Sequence, residues 1–192
     1  MMSNPLVSIL MPVFNEEKYI SEAIDSILLQ TYINFELIII DDGSTDKTSK
    51  VIKSYSDKRI RFYQPGKIGK VAAFNLAFSK SEGDFICFFA GDDLLLKKSI
   101  EERLEPIKDI ILYPAISLCK LITFSDIKKF DKVVTPRNKN KGTACGGTIM
   151  MNRKFCNKSF PIPEQLGNED IWQVQHALRL PNVIRKHIPS IG

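Results

Sequence analysis

Short apolar runs alternate with amphipathic segments through the first half of this 192-residue chain, and this alternation limits the folds it can adopt. Four runs predict strands; they are Leu6–Val13, Phe35–Ile40, Ile60–Tyr63 and Phe85–Phe89. Between them, apolar residues recur at the helical spacing of one buried face, first as Ile20, Ala23, Ile24, Ile27 and Leu28. Such alternation predicts an α/β fold with a mostly parallel central sheet and helices on both faces.

Polar residues after the first two strands predict where the helices begin. Asn15 is a plausible N-cap, followed by acidic residues that suit the first turn of a helix. Ser44 or Thr45 is expected to cap a second helix that reaches about Tyr55. Further helices are expected over Gly69–Phe78 and from Lys97 to about Leu104.

The second half of the chain has a less regular pattern. Residues 110–124 contain one or two strands, 145–151 a strand, 169–180 a helix and 183–188 a strand. Residues 125–142 carry six basic and two acidic residues. This segment is either a solvated, mobile loop or a flap that closes over a substrate. Because the chain stops directly after a strand, we expect it to be truncated at its C-terminus.

Composition leaves the class of partner open. The net charge of +5 and the pI of about 9.0 suit an anionic ligand, an anionic membrane surface or nucleic acid. The four cysteines form no CxxC pair and there are two histidines, so we do not expect a structural zinc site. We find no signal peptide or membrane span and expect a cytoplasmic protein with reduced thiols, with Cys87 in the core.

Acidic pairs follow two of the predicted strands. Asp41 and Asp42 come after the second strand, and Asp92 and Asp93 come after the fourth. The carboxyl ends of parallel strands meet at one edge of a sheet, where ligands bind. Neighbouring carboxylates repel each other, so this edge is expected to hold a cation or a hydrogen-bonding ligand.

Several segments resemble glycosyltransferase family 2. Val7–Glu16 resembles the opening strand and turn of that family, and Asp41–Asp46 matches its DDGSTD turn. Gly69–Asn75 resembles the G-x-x-x-A-x-N segment, Asp92-Asp93 the metal motif and Glu169-Asp170 the later E-D motif. The resemblance covers about residues 5–190. It implies one GT-A domain, a Rossmann-like sandwich, with a nucleotide-binding half at about 1–105 and an acceptor-binding half at about 106–192.

The same resemblance implies roles for individual residues. The nucleotide site would include Pro12, Val13, Phe14, Glu16, Asp42, Lys70 and Asp92. Asp42 would accept a hydrogen bond from uracil N–H, and Lys70 would neutralise the diphosphate, with Lys67 a weaker candidate. Asp92 would contact ribose and help Asp93 to bind Mn²⁺ or Mg²⁺.

The acceptor side would include the base that an inverting transfer requires. Asp170 is the candidate base and Glu169 would orient it or contact the acceptor, while Gly146-Gly147 resembles the acceptor-side loop. The first acid of the usual D-x-D-D is replaced by Ala90, which weakens the expectation of tight metal binding.

Each of these residues also has an ordinary structural interpretation. Asp pairs cap turns and helices, Lys70 suits a solvated helix start, and Glu169 and Asp170 suit a helix N-terminus. Trp172 would stack on a sugar or, as such residues more often do, lie in the core. We expect no special role for His176 or His187.

The implied activity is metal-dependent transfer, with inversion, of a sugar from a nucleotide donor, expected to be UDP. The acceptor would be a glycan or a lipid-linked precursor of a surface polysaccharide, with peripheral contact at the inner membrane surface. The alternative is an inactive sugar-nucleotide-binding module of a larger protein. A nucleotidyltransferase is disfavoured because its glycine-rich basic loop is missing, and nucleic-acid binding has only the basic pI in its favour.

Overall fold

The fold was analysed in a computed structural model, which describes residues 4–143 and 145–191. These residues form eight strands and six α-helices, which alternate as far as β5. The strands are β1 Val7–Val13, β2 Phe35–Asp41, β3 Ile60–Tyr63, β4 Phe85–Phe88, β5 Ala115–Ile122, β6 Val134–Thr135, β7 Ile149–Asn152 and β8 Ile184–Ile191. The helices are α1 Ile20–Leu28, α2 Thr48–Lys53, α3 Lys70–Lys80, α4 Ser99–Leu104, α5 Arg153–Ser159 and α6 Glu169–Arg179.

The strands form one mixed sheet with the order β3-β2-β1-β4-β7-β5-β6, and β8 pairs with β5. Strands β1 to β4 are mutually parallel, β7 runs antiparallel to β4 and β5, and β8 is parallel to β5. The mostly parallel central sheet that the sequence predicts is therefore confirmed. Since β1, β2 and β4 point the same way, their carboxyl ends open onto one edge of the sheet.

Two apolar clusters cover the two faces of the sheet. Alternate residues of β1 divide between them, with Ile9 and Met11 on one face and Leu10 on the other. Helices α1, α2 and α4 supply buried residues to the first cluster, and α3, α5 and α6 supply them to the second. The expectation of helices on both faces is confirmed, and Cys87 lies in the core as predicted.

The predicted helix caps are wrong for α1 and α2, which begin later than expected, at Ile20 and Thr48. The polar residues of the two preceding turns bind each other instead. Asn15 Oδ1 accepts a hydrogen bond from the Thr45 amide at 2.8 Å, and the Asn15 amide donates to Ser44 Oγ at 3.0 Å. Side chains that were expected to cap their own helices therefore join the β1–α1 turn to the β2–α2 turn.

The second half agrees with the sequence prediction of one or two strands in residues 110–124, where a single strand, β5, is present. It differs from the prediction in the elements that follow. A 3₁₀ turn, Gly146–Thr148, precedes β7, which starts four residues later than predicted, and α5 was not predicted. All four cysteines are free thiols. Within the described part of the chain, no helix has the length and apolar character needed to cross a bilayer.

Candidate active site

A cleft of about 480 Å³ opens at the carboxyl edge of the sheet, within the size range of small-ligand sites. Its walls come from strand ends and from segments far apart in the sequence. They comprise Pro12, Lys70, Phe74, Phe88, Phe89, Ala90, Asp92, Asp93, Leu94, Leu96, Leu121, Ile122, Thr123, Phe124, Cys145, Gly147, Thr148, Glu169 and Asp170. The two acidic motifs of the sequence, which are 76 positions apart between Asp93 and Glu169, thus share one cavity.

Asp93 lies in a markedly acidic part of the cleft. Partial burial raises its pKa above the ordinary value, and the negative charges of Asp92 and Asp170 raise it further. The positive charge of Arg103 acts in the opposite direction. Carboxylates that raise one another's pKa are stabilised by a cation placed between them.

Gly147 lines the cleft close to the carboxylate of Asp93. A Cβ atom at this position would lie 3.1 Å from Asp93 Oδ2, which is a crowded contact. The glycine therefore leaves space in which Asp93 can reach a ligand.

The acidic residues fit a metal that is shared with a substrate. The described residues hold no group of three or more His, Cys, Asp or Glu side chains arranged to bind a metal by themselves. Mg²⁺ and similar cations are commonly held by one or two carboxylates together with phosphate oxygens. Asp92 and Asp93 supply that number of ligands at the wall of a cleft that is open to a diphosphate.

Lys70 and Glu169 form an ion pair across the cleft. Lys70 Nζ lies 2.7 Å from Glu169 Oε1, and the side chain of Glu169 is only 3% exposed. No described residue donates a hydrogen bond to Glu169 Oε2. Lys70 starts α3 and Glu169 starts α6, so this contact joins the predicted donor and acceptor halves.

Asp170 lies beside Glu169 in the first turn of α6. The Asn168 side chain caps this helix by accepting hydrogen bonds from the amides of Asp170 and Ile171 at 2.9 and 3.1 Å. The positive end of the helix dipole favours carboxylates here, so the ordinary interpretation of this acidic pair holds. It does not compete with a catalytic role, because both side chains also line the cleft.

Asp42 lies outside the cleft lining, in a second polar cluster at the same edge. Its Oδ1 accepts hydrogen bonds from the Ile68 and Gly69 amides at 2.6 and 2.7 Å, and Lys67 Nζ lies 3.0 Å from its Oδ2. These contacts outweigh burial and lower the pKa of Asp42. Lys67 Nζ also lies 3.3 Å from the ring centroid of Phe14.

The family resemblance predicts that Phe14 and Asp42 lie at the base of the nucleotide, and the structure brings both into one cluster with Lys67. Because the side chain of Lys67 is 57% exposed, it can move to make room for a ligand. Asp41 has a structural role, since its Oδ1 accepts a hydrogen bond from the Ser44 amide at 2.8 Å. The turn-cap interpretation of Asp41 is therefore confirmed.

Val13 and Glu16 support the loop that carries the acidic pair. A Cβ atom on Gly91 would lie 2.9 Å from Glu16 Cγ and 3.1 Å from Val13 Cγ1. Burial raises the pKa of Glu16, and the negative charge of Asp92 adds to the effect. Pro12, also on β1, lines the cleft itself.

The sequence did not identify the apolar wall of the cleft, which consists mainly of Leu94, Leu96 and residues 121–124. Leu94 and Leu96 lie in an apolar run after the acidic pair, and such a run predicts burial. Their side chains are partly exposed in the structure, which the sequence does not show. Trp172 is half-buried and packs against the second apolar cluster, and its Nε1 donates a hydrogen bond to the Ser159 carbonyl at 2.6 Å. Trp172 does not line the cleft, so the structure gives no support to a sugar-stacking role.

Arg103 is a second residue that the sequence did not single out. Its side chain is 1% exposed on α4, and its Nε and Nη2 atoms have no hydrogen-bond partner among the described residues. A buried guanidinium with two nitrogens that lack hydrogen-bond partners costs stability. Its positive charge lowers the pKa of Asp93, so it belongs to the electrostatics of the acidic pair.

Comparison with known proteins places the chain in a family. The model of glycosyl transferase family 2 matches residues 8–160. An uncharacterized glycosyltransferase of Haemophilus influenzae is 44% identical over 106 residues, which are 54% of this chain and 42% of that protein. The chain thus spans less than half the length of this relative.

Solved structures of similar fold carry nucleotide sugars. S. aureus TarS in complex with UDP-GlcNAc has a TM-score of 0.74 at 21% identity, over 94% of this chain and 56% of TarS. The mannosyltransferase PcManGT from Pyrobaculum calidifontis, in complex with GDP-Man and Mn²⁺, has a TM-score of 0.74 at 18% identity, over 97% of this chain and 56% of that one. The chain has the GT-A fold and belongs to glycosyltransferase family 2.

Proposed function

We propose that this family 2 glycosyltransferase domain transfers a sugar, with inversion, from a nucleotide diphosphate donor to an acceptor hydroxyl. The observation that carries the proposal is the shared cleft, which brings Lys70 and the Asp92-Asp93 pair together with the Glu169-Asp170 pair. The first group suits a diphosphate and its cation, and the second suits the proton of an acceptor. We propose UDP as the nucleotide and a glycan or lipid-linked precursor as the acceptor.

The donor side would be organised by charge. Asp92 and Asp93 would hold a divalent cation, Mn²⁺ or Mg²⁺, which when bound stabilises the negative charge of the leaving diphosphate. Lys70 would add a mobile positive charge, since its side chain is 66% exposed and can leave Glu169. Asp42 would accept a hydrogen bond from the base on the lone pairs that Lys67 leaves available.

The acceptor side would supply the base. Inversion in one step needs a carboxylate that takes the proton of the attacking hydroxyl while the diphosphate leaves from the opposite face. Asp170 is the proposed base, and its place in the first turn of α6, where the helix dipole favours a carboxylate, holds it at the cleft wall. Glu169 would accept a hydrogen bond from the acceptor on Oε2.

Calorimetric titration with UDP tests the donor site. We expect UDP to bind more tightly with Mn²⁺ than without it, and we expect Asp93→Ala to abolish the difference. Asp109→Ala removes an equal charge from an exposed position outside the cleft lining and is the matched control. Equal UDP binding with and without Mn²⁺ in the unmutated protein would contradict the metal role.

Turnover separates an enzyme from an inactive binding module. With a panel of UDP-sugars, Asp170→Asn is expected to lower kcat by about 10²-fold or more while UDP binding is retained, since it removes a general base. If the unmutated protein binds UDP but consumes no donor with any acceptor tested, the module hypothesis is favoured. Ala90, which stands in place of an acid, is the sequence feature that supports that hypothesis.

A further inference from the structure

A closed loop extends β5 beyond the cleft. The amide of Thr123 donates to the Val133 carbonyl at 3.1 Å, and its carbonyl accepts from the Lys132 amide at 2.8 Å. Thr123 Oγ1 donates to the Phe130 carbonyl, and the Phe130 amide donates to the Ile127 carbonyl at 2.8 Å. These bonds give residues 124–132 a defined shape, and we call them the 124–132 loop.

The 124–132 loop presents three large apolar side chains to solvent. Phe124 is 64% exposed, Ile127 is 57% exposed and Phe130 is 52% exposed. Exposed apolar residues that occur singly need no explanation, but three in one nine-residue loop form a patch. The backbone hydrogen bonds hold this patch at the surface, so its exposure is a property of the folded loop.

Basic residues surround the apolar patch. Lys128, Lys129 and Lys132 lie within the loop, and Arg137, Lys139 and Lys141 follow it. Against these six positive charges there are two acids, Asp126 and Asp131, and Asp131 Oδ1 accepts a hydrogen bond from the Ser125 amide at 3.3 Å. Lys129 Nζ lies 4.6 Å from the ring centroid of Phe130, so charge and apolar surface meet at the loop tip.

This combination matches the surface of an anionic bilayer. Aromatic and aliphatic side chains enter the boundary between headgroups and acyl chains, while lysines next to them contact anionic headgroups. Nucleic acid would use the lysines and could stack a base on Phe130, but it would leave Ile127 without an apolar partner. A purely apolar protein partner would leave the excess positive charge without a counterpart.

We propose that the 124–132 loop docks the domain onto an anionic membrane surface by inserting Ile127 and Phe130. Phe124 and Thr123 line the cleft, so docking through this loop would place the cleft opening next to the headgroup layer. An acceptor carried on a lipid would then reach the cleft without leaving the membrane. The link to the acceptor rests on the proposed function, whereas binding of the loop to the membrane does not.

Vesicle sedimentation tests the docking surface. The full chain is mixed with phosphatidylcholine vesicles that contain or lack phosphatidylglycerol, at low and high ionic strength. We expect binding to the anionic vesicles that weakens with salt, and little binding to the neutral vesicles. Equal binding to both vesicle types, or no binding to either, would overturn the proposal.

Paired variants separate the loop from general surface effects. Ile127→Ser with Phe130→Ser is expected to weaken binding to the anionic vesicles by about tenfold or more. Leu29→Ser with Ile33→Ser changes two apolar residues elsewhere that are at least as exposed, and it should leave binding unchanged. Lys128→Gln with Lys129→Gln should weaken binding to the anionic vesicles by about 10- to 30-fold. The control pair, Lys53→Gln with Lys58→Gln, should leave that binding unchanged. An equal loss in the control pairs would overturn the proposal.

UDP titration of the same samples keeps this proposal separate from the proposed function. Ile127 and Phe130 do not line the cleft, so we expect the Ser pair to bind UDP as the unmutated protein does. Retained UDP binding also shows that the Ser pair is folded. A protein that binds UDP but not anionic vesicles refutes the docking surface alone, and one that binds the vesicles but not UDP refutes the donor site alone.

Discussion

Lys70 Nζ lies 2.7 Å from Glu169 Oε1, and this contact is the one ion pair between the two ends of the cleft among the described residues. Glu169 is almost fully buried, whereas the side chain of Lys70 is mostly exposed. In this structure, the lysine that is proposed for the diphosphate is thus bound to the acid that is proposed for the acceptor. A donor that binds Lys70 would release Glu169.

This relationship predicts an unusual gain of affinity. Glu169→Gln removes the partner that competes with the diphosphate for Lys70, so UDP should bind about 3- to 10-fold more tightly. Turnover should fall, because the acid that would contact the acceptor is lost. Calorimetric titration gives the first quantity and a donor-consumption assay gives the second.

A double-mutant cycle shows whether Lys70 carries the effect. In a Lys70→Ala background, Glu169→Gln should no longer tighten UDP binding beyond what the loss of one negative charge causes. Asp170→Asn also removes one negative charge from the cleft, so it measures how much that loss of charge by itself tightens UDP binding. The coupling is refuted if Glu169→Gln tightens UDP binding equally with and without Lys70.

Gly147 predicts a steric effect on the metal site. Gly147→Ala places a Cβ 3.1 Å from Asp93 Oδ2, so the carboxylate must shift by a few tenths of an ångström. We expect the Mn²⁺-dependent gain in UDP affinity to fall by roughly 3- to 10-fold, since metal ligands tolerate little displacement. Gly167→Ala, where the added Cβ has no neighbour within 4 Å, is the control and should leave the gain unchanged.

Much of the fold was predictable because the spacing of apolar residues along the sequence indicates which side chains are buried. The bounds of β3 agree with the sequence prediction, and those of β1, β2 and β4 agree to within one residue at each end. Each of these strands is a short, mostly apolar run, so one pattern predicts it. The caps were predicted wrongly because the side chains of Asn15 and Ser44 bind partners about 30 positions away, which local propensity does not encode.

The candidate site was only partly predictable, for a similar reason. Motifs name the acidic residues, but they do not show that Lys70 contacts Glu169 or that Asp42 already accepts two amide hydrogen bonds. Each contact joins segments that are separated in the sequence and become neighbours only in the folded protein. Arg103 was missed because it lies on a short helix among charged residues, where a solvent-exposed position is the ordinary expectation.

Asp42 predicts a pH-dependent stability. Its pKa is lowered in the folded state, so its contribution is present above the unfolded-state pKa near 3.9 and is lost as the pH falls through the lower folded value. Asp42→Asn should therefore lower the free energy of unfolding by about 1–3 kcal/mol at pH 7, and by progressively less below about pH 4. Urea unfolding over this pH range measures the difference in the free energy of unfolding between the variant and the unmutated protein. The control Asp109→Asn replaces an exposed acid and should change the free energy of unfolding little. A penalty that stays constant down to pH 3 would contradict this origin.

Arg103 predicts opposite effects on stability and on metal binding. Replacing the buried guanidinium by an apolar side chain of similar length removes a buried charge with two nitrogens that have no hydrogen-bond partner among the described residues, so Arg103→Met should raise the free energy of unfolding by about 1–3 kcal/mol. The same change removes the positive charge that favours ionised Asp93, so Mn²⁺-dependent UDP binding should weaken. Arg103→Lys, which keeps the charge, should retain more of that binding than Arg103→Met. Urea unfolding and calorimetric titration measure the two effects, and a variant that loses stability without losing metal-dependent binding would show that Arg103 has a purely structural role.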